Sequence, residues 1–395
     1  MNLMWLWPKL RLAKGRRKGS TRAAEFQRKD NKKHLCRCSG WMTVYLPPIW
    51  ALSLLTRQAG ECNVVENMAK PTPLIIFLAA LAVLAMVLAL SIGSAQLSFT
   101  QTLSALLNPG ESLHGNIVWQ LRLPRASSAF VVGGLLAASG VLMQVLLRNP
   151  LADPYILGVS GGAAVFALLA IMLGAGAFFI SAGAFFGAVL SMLLVFALAH
   201  GVGGWNTLRL LLTGVVIAAG WGAVISFMLA ISVNTRVHGM LFWMMGDLSH
   251  ADIPLWGGAV LVFGLCIALM VGRSLNLLAR GDKQAQSLGV NVGRLRILLY
   301  FLSSLLSATA VTVAGSIGFI GLLAPHLIRL CGVVDHRFLL LASVLFGGTL
   351  LVLADTLART LIAPEQLPVG VVTALLGVPL YLFILNRGMA GGAER

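Results

Sequence analysis

Ten apolar runs follow one another between residues 74 and 386 of this 395-residue chain. An α-helix needs about 20 mostly apolar residues to cross the hydrocarbon core of a bilayer, and most of these runs approach that length. Lipid offers no hydrogen bonds to an open backbone, so such runs must be helices that satisfy their own amides. We therefore expect an all-α integral membrane protein, a bundle of ten transmembrane helices. The expected spans are residues 74–93, 126–147, 156–173, 178–199, 209–231, 253–272, 294–314, 317–330, 338–354 and 370–386.

The eighth of these spans, residues 317–330, is shorter than its neighbours, contains Pro325 and is rich in glycine. Proline removes a backbone donor and glycine weakens a helix interior, so both residues interrupt helices. We expect a broken or half-depth helix here. Its backbone must be covered by protein or must line a water-filled cavity.

Charge content agrees with a membrane protein and argues against a soluble one. Only 11% of the residues are charged, whereas soluble domains carry about 25%. The net charge of +16 would suit a nucleic-acid binder, but residues 1–67 hold 13 of the 29 basic residues and the others fall between apolar runs. Basic residues between apolar runs are typical topology signals. We expect a lipid bilayer as the environment and no nucleic-acid partner.

The sequence divides into two parts of different character. Residues 1–67 are basic and differ in composition from the apolar remainder, and the run Met68-Ala69-Lys70-Pro71 resembles the start of an inner-membrane protein. We interpret residues 1–67 as an N-terminal extension outside the core, or as a misassigned start. A basic arm on anionic lipid is the alternative. Residues 68–395 form the expected ten-helix transmembrane domain.

The distribution of basic residues predicts the orientation of the bundle. With the N-terminus inside, twelve basic residues of the body fall on the cytoplasmic side and four on the opposite side, which satisfies the positive-inside rule. Both termini are then cytoplasmic. The cytoplasmic set is Lys70, Arg148, Arg209, Arg273, Arg280, Lys283, Arg294, Arg296, Arg329, Arg337, Arg387 and Arg395, and the opposite set is Arg122, Arg125, Arg236 and Arg359.

Several chemistries leave no trace in the sequence. A phosphate-binding G-x-x-x-x-G-K-[ST] loop does not occur, nor does a zinc motif of the H-E-x-x-H type. His326 follows Pro325, where a structural role is favoured over ligation. The acidic residues fall in loops, with Asp355 at a helix end, whereas ion-coupled carriers bury carboxylates within their spans. We therefore expect no catalytic residue, metal site or cofactor in this chain, and an external source of energy.

Two groups of residues outside the spans suggest contacts with partners. The cytoplasmic loop 273–292 has a short amphipathic pattern bounded by glycines, which predicts two small helices able to dock in a groove of a partner; a solvated connector is the alternative. Arg122, Arg125 and Arg359 oppose the positive-inside gradient. They either anchor helix ends or dock an acidic soluble partner.

These segments resemble the FecCD permease family of iron-siderophore and vitamin B12 ABC importers, from about Met68 to Arg387. The runs that carry the resemblance are Arg122-Leu123-Pro124-Arg125, Gly133-Gly134, Arg148-Asn149-Pro150-Leu151-Ala152-Asp153-Pro154, Phe242-Trp243-Met244-Met245-Gly246, Gly281-Asp282, Leu288-Gly289-Val290, Gly318-Phe319-Ile320-Gly321, Ala354-Asp355, Ala358-Arg359 and Leu367-Pro368-Val369-Gly370.

The resemblance implies a type II ABC-importer permease in the bacterial inner membrane. It also implies three partners: a dimer of ABC ATPase subunits that holds ATP and Mg²⁺, a periplasmic substrate-binding protein, and a second permease subunit, as a homodimer. Leu208 departs from the small polar residues usual at the family's gate. The implied residues are Arg122, Arg125 and Arg359 for binding-protein docking, Arg280, Gly281, Asp282, Ala285, Leu288 and Gly289 for ATPase coupling, and Asn206, Thr207 and Leu208 for the translocation gate.

The resemblance further implies a non-enzymatic transport subunit that imports a metal chelate by alternating access driven from outside. A ferric siderophore or haem is the expected cargo, with cobalamin as the alternative. A stand-alone secondary carrier and a structural or signalling subunit are the competing hypotheses from other classes.

Overall fold

The structure is a computed structural model that describes residues 71–93, 98–107, 113–199, 207–249, 254–363 and 365–390. Every regular element in these ranges is helical, which confirms the all-α prediction. The predicted extension, residues 1–67, lies outside the described residues. The helices are α1 Pro71–Ser91, α2 Phe99–Leu107, α3 Leu113–Asn116, α4 Leu123–Leu147, α5 Val159–Met172, α6 Ala177–Ala199, α7 Thr207–Ile231, α8 Asn234–Met245, α9 Leu255–Met270, α10 Gly272–Arg280, α11 Asp282–Ser287, α12 Val292–Ala314, α13 Ile320–Leu330, α14 His336–Ala358 and α15 Val369–Ala390.

Each of the ten predicted spans coincides with one of these helices. Within the described residues, six helices are long and apolar enough to cross a membrane, and α9 with α10 forms a seventh candidate that bends by 61°. The remaining three, α5, α13 and the apolar part of α15, have 10–17 residues. The chain is thus a multi-pass membrane protein, and ten complete crossings stay a prediction.

The short helix α13 has the form that the glycines and proline predicted. It has 11 residues, about 16 Å at 1.5 Å per residue, roughly half of the hydrocarbon thickness. Phe319 precedes it in the left-handed conformation, with φ at 70°, and ends the irregular stretch that follows α12. Its residues Ile320, Gly321 and Leu323–Pro325 are buried, so protein covers the interrupted backbone.

Helix α4 is the centre of the bundle. The apolar window of the helical stretch that contains it is 89% buried, against 17% for α7. Gly133 of α4 meets the backbone of Gly347 in α14, and Gly140 meets Gly321 in α13, so closely that a Cβ on either α4 glycine would overlap a carbonyl oxygen. Small residues therefore bring three helix backbones into contact where lipid supplies no hydrophobic drive.

The entry to α4 differs from the predicted boundary at residue 126. Helical structure runs from Leu113 through a π turn, Ile117–Arg122, directly into α4. Pro124 has no amide hydrogen to donate, and the helix widens just before it instead of breaking. Arg122 and Arg125 consequently lie within one helical stretch and not in a loop. Their side chains can then point toward neighbouring helices.

Candidate functional sites at the two ends of the bundle

The first charged cluster lies where α1 ends, α4 begins and α14 ends; we call this the Arg125 end. Arg125 Nε lies 3.0 Å from both carboxylate oxygens of Asp355, and its Nη2 lies 2.8 Å from Oδ1. Arg125 Nη1 donates to the side-chain oxygen of Gln366 at 2.6 Å. The pair is bidentate and charge-assisted, which makes it one of the stronger polar contacts in proteins.

The other two arginines of this end bond mainly to backbone. Arg122 Nη1 donates to the carbonyls of Leu90 and Ser91 at 2.6 and 2.9 Å. Arg359 Nη2 donates to the carbonyl of Ala89 at 2.6 Å, and its Nε lies 3.7 Å from Asp355 Oδ2. The last carbonyls of a helix have no partner in their own helix. These two side chains therefore cap α1 and connect it to α4 and α14.

The sequence grouped Arg122, Arg125 and Arg359, and the structure brings them together. They are only 4%, 9% and 8% exposed, and the bonds described above are made within the chain, so the geometry is that of anchored helix ends. Docking of a partner stays a prediction. Sequence reasoning placed Asp355 at a helix end; it is 1% exposed in the last turn of α14, as the shared counter-ion of the cluster. The i,i+4 spacing of Asp355 and Arg359 could have indicated from the sequence that these two side chains meet.

The second cluster lies where α4 ends, α12 and α14 begin, and α10 and α11 cross the end of the bundle; we call this the Asp282 end. The predicted pair of small helices in loop 273–292 is confirmed as α10 and α11. Gly281 separates them with φ at 138°, a conformation that side chains rarely adopt. Ala285 is fully buried, whereas Leu288 is 65% exposed. Arg280 and Gly289 are also exposed. The pair presents a mixed apolar and polar surface outward.

Asp282 points toward its own bundle. Arg296 of α12 places one nitrogen 2.9 Å from each Asp282 oxygen, and Arg148, which ends α4, forms a second ion pair with the same carboxylate. Arg148 holds a left-handed backbone, with φ at 49°, which is uncommon for a non-glycine residue. Burial, and then the nearby charge of Arg296, lower the pKa of Arg148. Sequence reasoning found Asp282 but missed its two partners.

A second connection joins α10 to α14. The side-chain oxygen of Asn276 accepts the backbone N–H of His336 at 2.9 Å and lies 2.7 Å from its ring Nδ1. Asp335 caps α14 by accepting from the backbone N–H of Arg337. Burial raises the pKa of Asp335, but the hydrogen bonds from Arg337 and Asn276 and the Arg337 charge outweigh it, so the net shift is downward. The two contacts of Asn276 therefore fix α10 against the start of α14.

The remaining predicted site is the gate. Asn206 lies outside the described residues, and Thr207 and Leu208 begin α7, where Leu208 is 64% exposed. Their role in a gate stays a prediction. Among the described residues, no three His, Cys, Asp or Glu side chains are grouped so that they could hold a metal ion.

Known proteins resemble most of the described bundle. The model of the FecCD transport family matches residues 81–387. The hemin transport system permease protein HmuU of Yersinia pestis is 43% identical over 279 residues, which cover 68% of this chain and 83% of that protein. The vitamin B12 import system permease protein BtuC of Klebsiella pneumoniae is 39% identical over 293 residues, covering 72% and 87%.

A solved structure agrees with these relatives. An inward-facing conformation of a putative metal-chelate type ABC transporter has a TM-score of 0.71 and 32% identity, and the match covers 80% of this chain and 99% of that chain.

Proposed function

The chain belongs to the FecCD transport family and is a permease subunit of an ABC importer, and on that premise we propose that its cargo is a metal chelate, with haem favoured and cobalamin as the alternative. This proposal rests on the match of the family model to residues 81–387, together with 43% identity to a hemin permease. In such a chelate the metal travels inside its organic ligand. No metal ligand of this chain is then required.

In the proposed orientation the Asp282 end is cytoplasmic. Arg148, Arg296 and Arg329 meet at this end with the basic residues of α10 and α11. Basic residues remain preferentially on the cytoplasmic side of a membrane, which supports this orientation. The Arg125 end then faces the periplasm.

Energy is supplied by a separate ATPase that docks on α10 and α11. The amphipathic pair with an exposed Leu288 is suited to a groove on a partner. Asp282 bonds to both Arg148 and Arg296, so a displacement of α11 reaches the end of α4 and the start of α12 directly. Docking would thereby shift helices that run the length of the bundle.

A substrate-binding protein approaches the Arg125 end. Three arginines and one aspartate in one cluster leave two positive charges in excess there. Because these side chains are buried, the excess positive charge acts on an acidic partner mainly through its electrostatic field. That field speeds the approach of the partner and favours one docked orientation.

A second copy of the chain is proposed to cover part of the apolar surface of α7 and α15. Phe227 of α7 and Leu375 of α15, 63% and 67% exposed, belong to that surface.

Transport by reconstituted protein tests the proposal. The chain is placed in proteoliposomes with a candidate ATPase and a candidate substrate-binding protein. Uptake of hemin, of a ferric siderophore and of cyanocobalamin is measured with ATP, without ATP, and with an imposed proton or sodium gradient. ATP-dependent uptake of one of the three is expected. Uptake driven by the ion gradient without ATP would establish the secondary carrier instead, and no uptake with both partners bound would favour a structural subunit.

A further inference from the structure

A cavity of about 290 Å³ lies at the Asp282 end between α4, α10, α13 and the connection from α13 to α14. Gln144 and Arg148 line it from α4, Ala279 from α10, and Arg329 from α13. His336 at the start of α14 forms another part of the wall, and none of the described residues that line the cavity is acidic. The walls therefore offer positive charge without a carboxylate of their own.

The charge of Arg329 is the least compensated of those in the walls. Its Nη1 bonds to the side-chain oxygen of Gln144, a neutral group, and among the described residues it makes no ion pair. Gln144 is 3% exposed and its amide nitrogen lies 3.4 Å from the carbonyl of Leu322, so it is held in place as an acceptor. A partly buried guanidinium usually has an anionic partner.

The second arginine of the walls shares its counter-ion. Arg148 and Arg296 both pair with Asp282, which leaves one positive charge in excess on that trio. The neighbouring Asp335 caps α14, and the charge of Arg337 acts on its carboxylate. Together with Arg329, the cavity therefore lies among groups with a surplus of positive charge and can accept an anion.

The position of the cavity favours a protein side chain as the anion. Ala279 in the last turn of α10 forms part of its wall, so a protein docked on α10 and α11 reaches the cavity. Val334 in the wall is 80% exposed, which gives the rim an apolar surface suited to a protein contact. A volume of this size admits a carboxylate with its methylene stem. Arginine forks match carboxylates in bidentate geometry.

We propose that this cavity is a socket for an acidic side chain, Asp or Glu, of the ATPase subunit that docks on α10 and α11, with Arg329 as its main partner. The inference rests on the proposed function, because it requires an ATPase at this end. It adds the chemistry of the contact. One carboxylate enters between α4 and α13, where it would link the ATPase to the core of the bundle as well as to α10 and α11.

Affinity between the purified permease and its ATPase tests the socket. The dissociation constant is measured in detergent by a fluorescence titration for the wild type, Arg329→Gln, Arg329→Lys and the control Arg294→Gln. Arg294 is an exposed arginine at the same end that does not line the cavity. We expect Arg329→Gln to weaken binding about tenfold or more, Arg329→Lys to retain part of the affinity, and Arg294→Gln to change it little.

Two further variants test the same contact. Val334→Asp places a negative charge on an exposed part of the wall, where folding is not at stake, and should also weaken binding. Arg329→Glu should be rescued by an Asp→Arg or Glu→Arg change at one position of the ATPase surface. Equal affinity of Arg329→Gln and the wild type, or equal losses for Arg329→Gln and Arg294→Gln, would overturn the socket. So would unchanged ATPase affinity with altered retention of phosphatidylglycerol in nanodiscs, which would assign the cavity to lipid. If the wild type itself does not bind the ATPase, the proposed function fails instead.

Discussion

Removing Asp355 should destabilise the bundle more than removing its strongest partner. The Asp355→Asn variant leaves the guanidinium groups of Arg125 and Arg359 buried near each other without an anion. Breaking a buried ion pair in this way costs about 3–5 kcal/mol. In Arg125→Gln the carboxylate still has Arg359 at 3.7 Å, and the loss is closer to one hydrogen-bonded contact with a charge, about 1.5–3 kcal/mol.

The double variant Arg125→Gln with Asp355→Asn gives the sharpest test. It removes both charges of a pair whose side chains are 10% and 1% exposed, so solvent screening is weak. The double variant should be more stable than Asp355→Asn alone, because one unpaired buried cation has gone. The expected order of stability is wild type, Arg125→Gln, double variant and Asp355→Asn.

Thermal unfolding in detergent measures this order. The fraction of protein that stays monodisperse after heating gives an apparent midpoint, which we expect to fall by roughly 5–15 °C for Asp355→Asn. Glu365→Gln changes an exposed acid near the same end and should shift the midpoint little. Additive effects of the two single substitutions, or an Asp355→Asn variant as stable as the wild type, would refute the assignment of Asp355 as the shared counter-ion.

Two further predictions concern packing and buried hydrogen bonds. Gly140→Ala would place a methyl group on the carbonyl oxygen of Gly321 and should cost about 1–3 kcal/mol of stability. In the control Gly258→Ala in α9, the new methyl group meets no atom within 4 Å, and the substitution should stabilise the protein by up to about 1 kcal/mol. Apparent midpoints that shift in the same direction for both variants would contradict this reasoning. Ser191→Ala removes the hydroxyl that accepts the indole N–H of Trp221 at 2.9 Å and donates to the carbonyl of Gly158 at 2.8 Å, and it should cost about 1–3 kcal/mol. Ser226→Ala removes an exposed hydroxyl that bonds to a carbonyl of its own helix, and the free energy of unfolding should stay within about 0.5 kcal/mol in the same assay.

The helical bundle was accessible from sequence because its signals are local. A run of apolar residues that cannot be hydrated enters lipid, and within lipid its backbone has to form a helix. Pro325 and the surrounding glycines likewise indicated the short α13, since these residues weaken helices wherever they occur. The start of α4 was expected at residue 126, just after Pro124, whereas a π turn carries the helical structure past this proline.

The charged sites depended on distant contacts. Arg125 and Asp355 are 230 positions apart, and Arg148 and Asp282 are 134 positions apart, so no local pattern reveals that they meet. By the positive-inside rule, Arg122, Arg125 and Arg359 lie on the side where basic residues are unusual. The sequence left two explanations open, anchoring of helix ends and docking of an acidic partner. Only the packing of α1 against α4 and α14 turned their side chains inward onto helix-terminal carbonyls and one carboxylate.

Sequence alone thus determined the membrane environment, the helix positions and the family, because hydropathy and ordered motifs are properties of the chain itself. The tertiary structure decided where each charge points and which anion it meets, because the strength of an ion pair depends on a separation of a few ångströms and on the exclusion of water. Those distances exist only once the helices are packed.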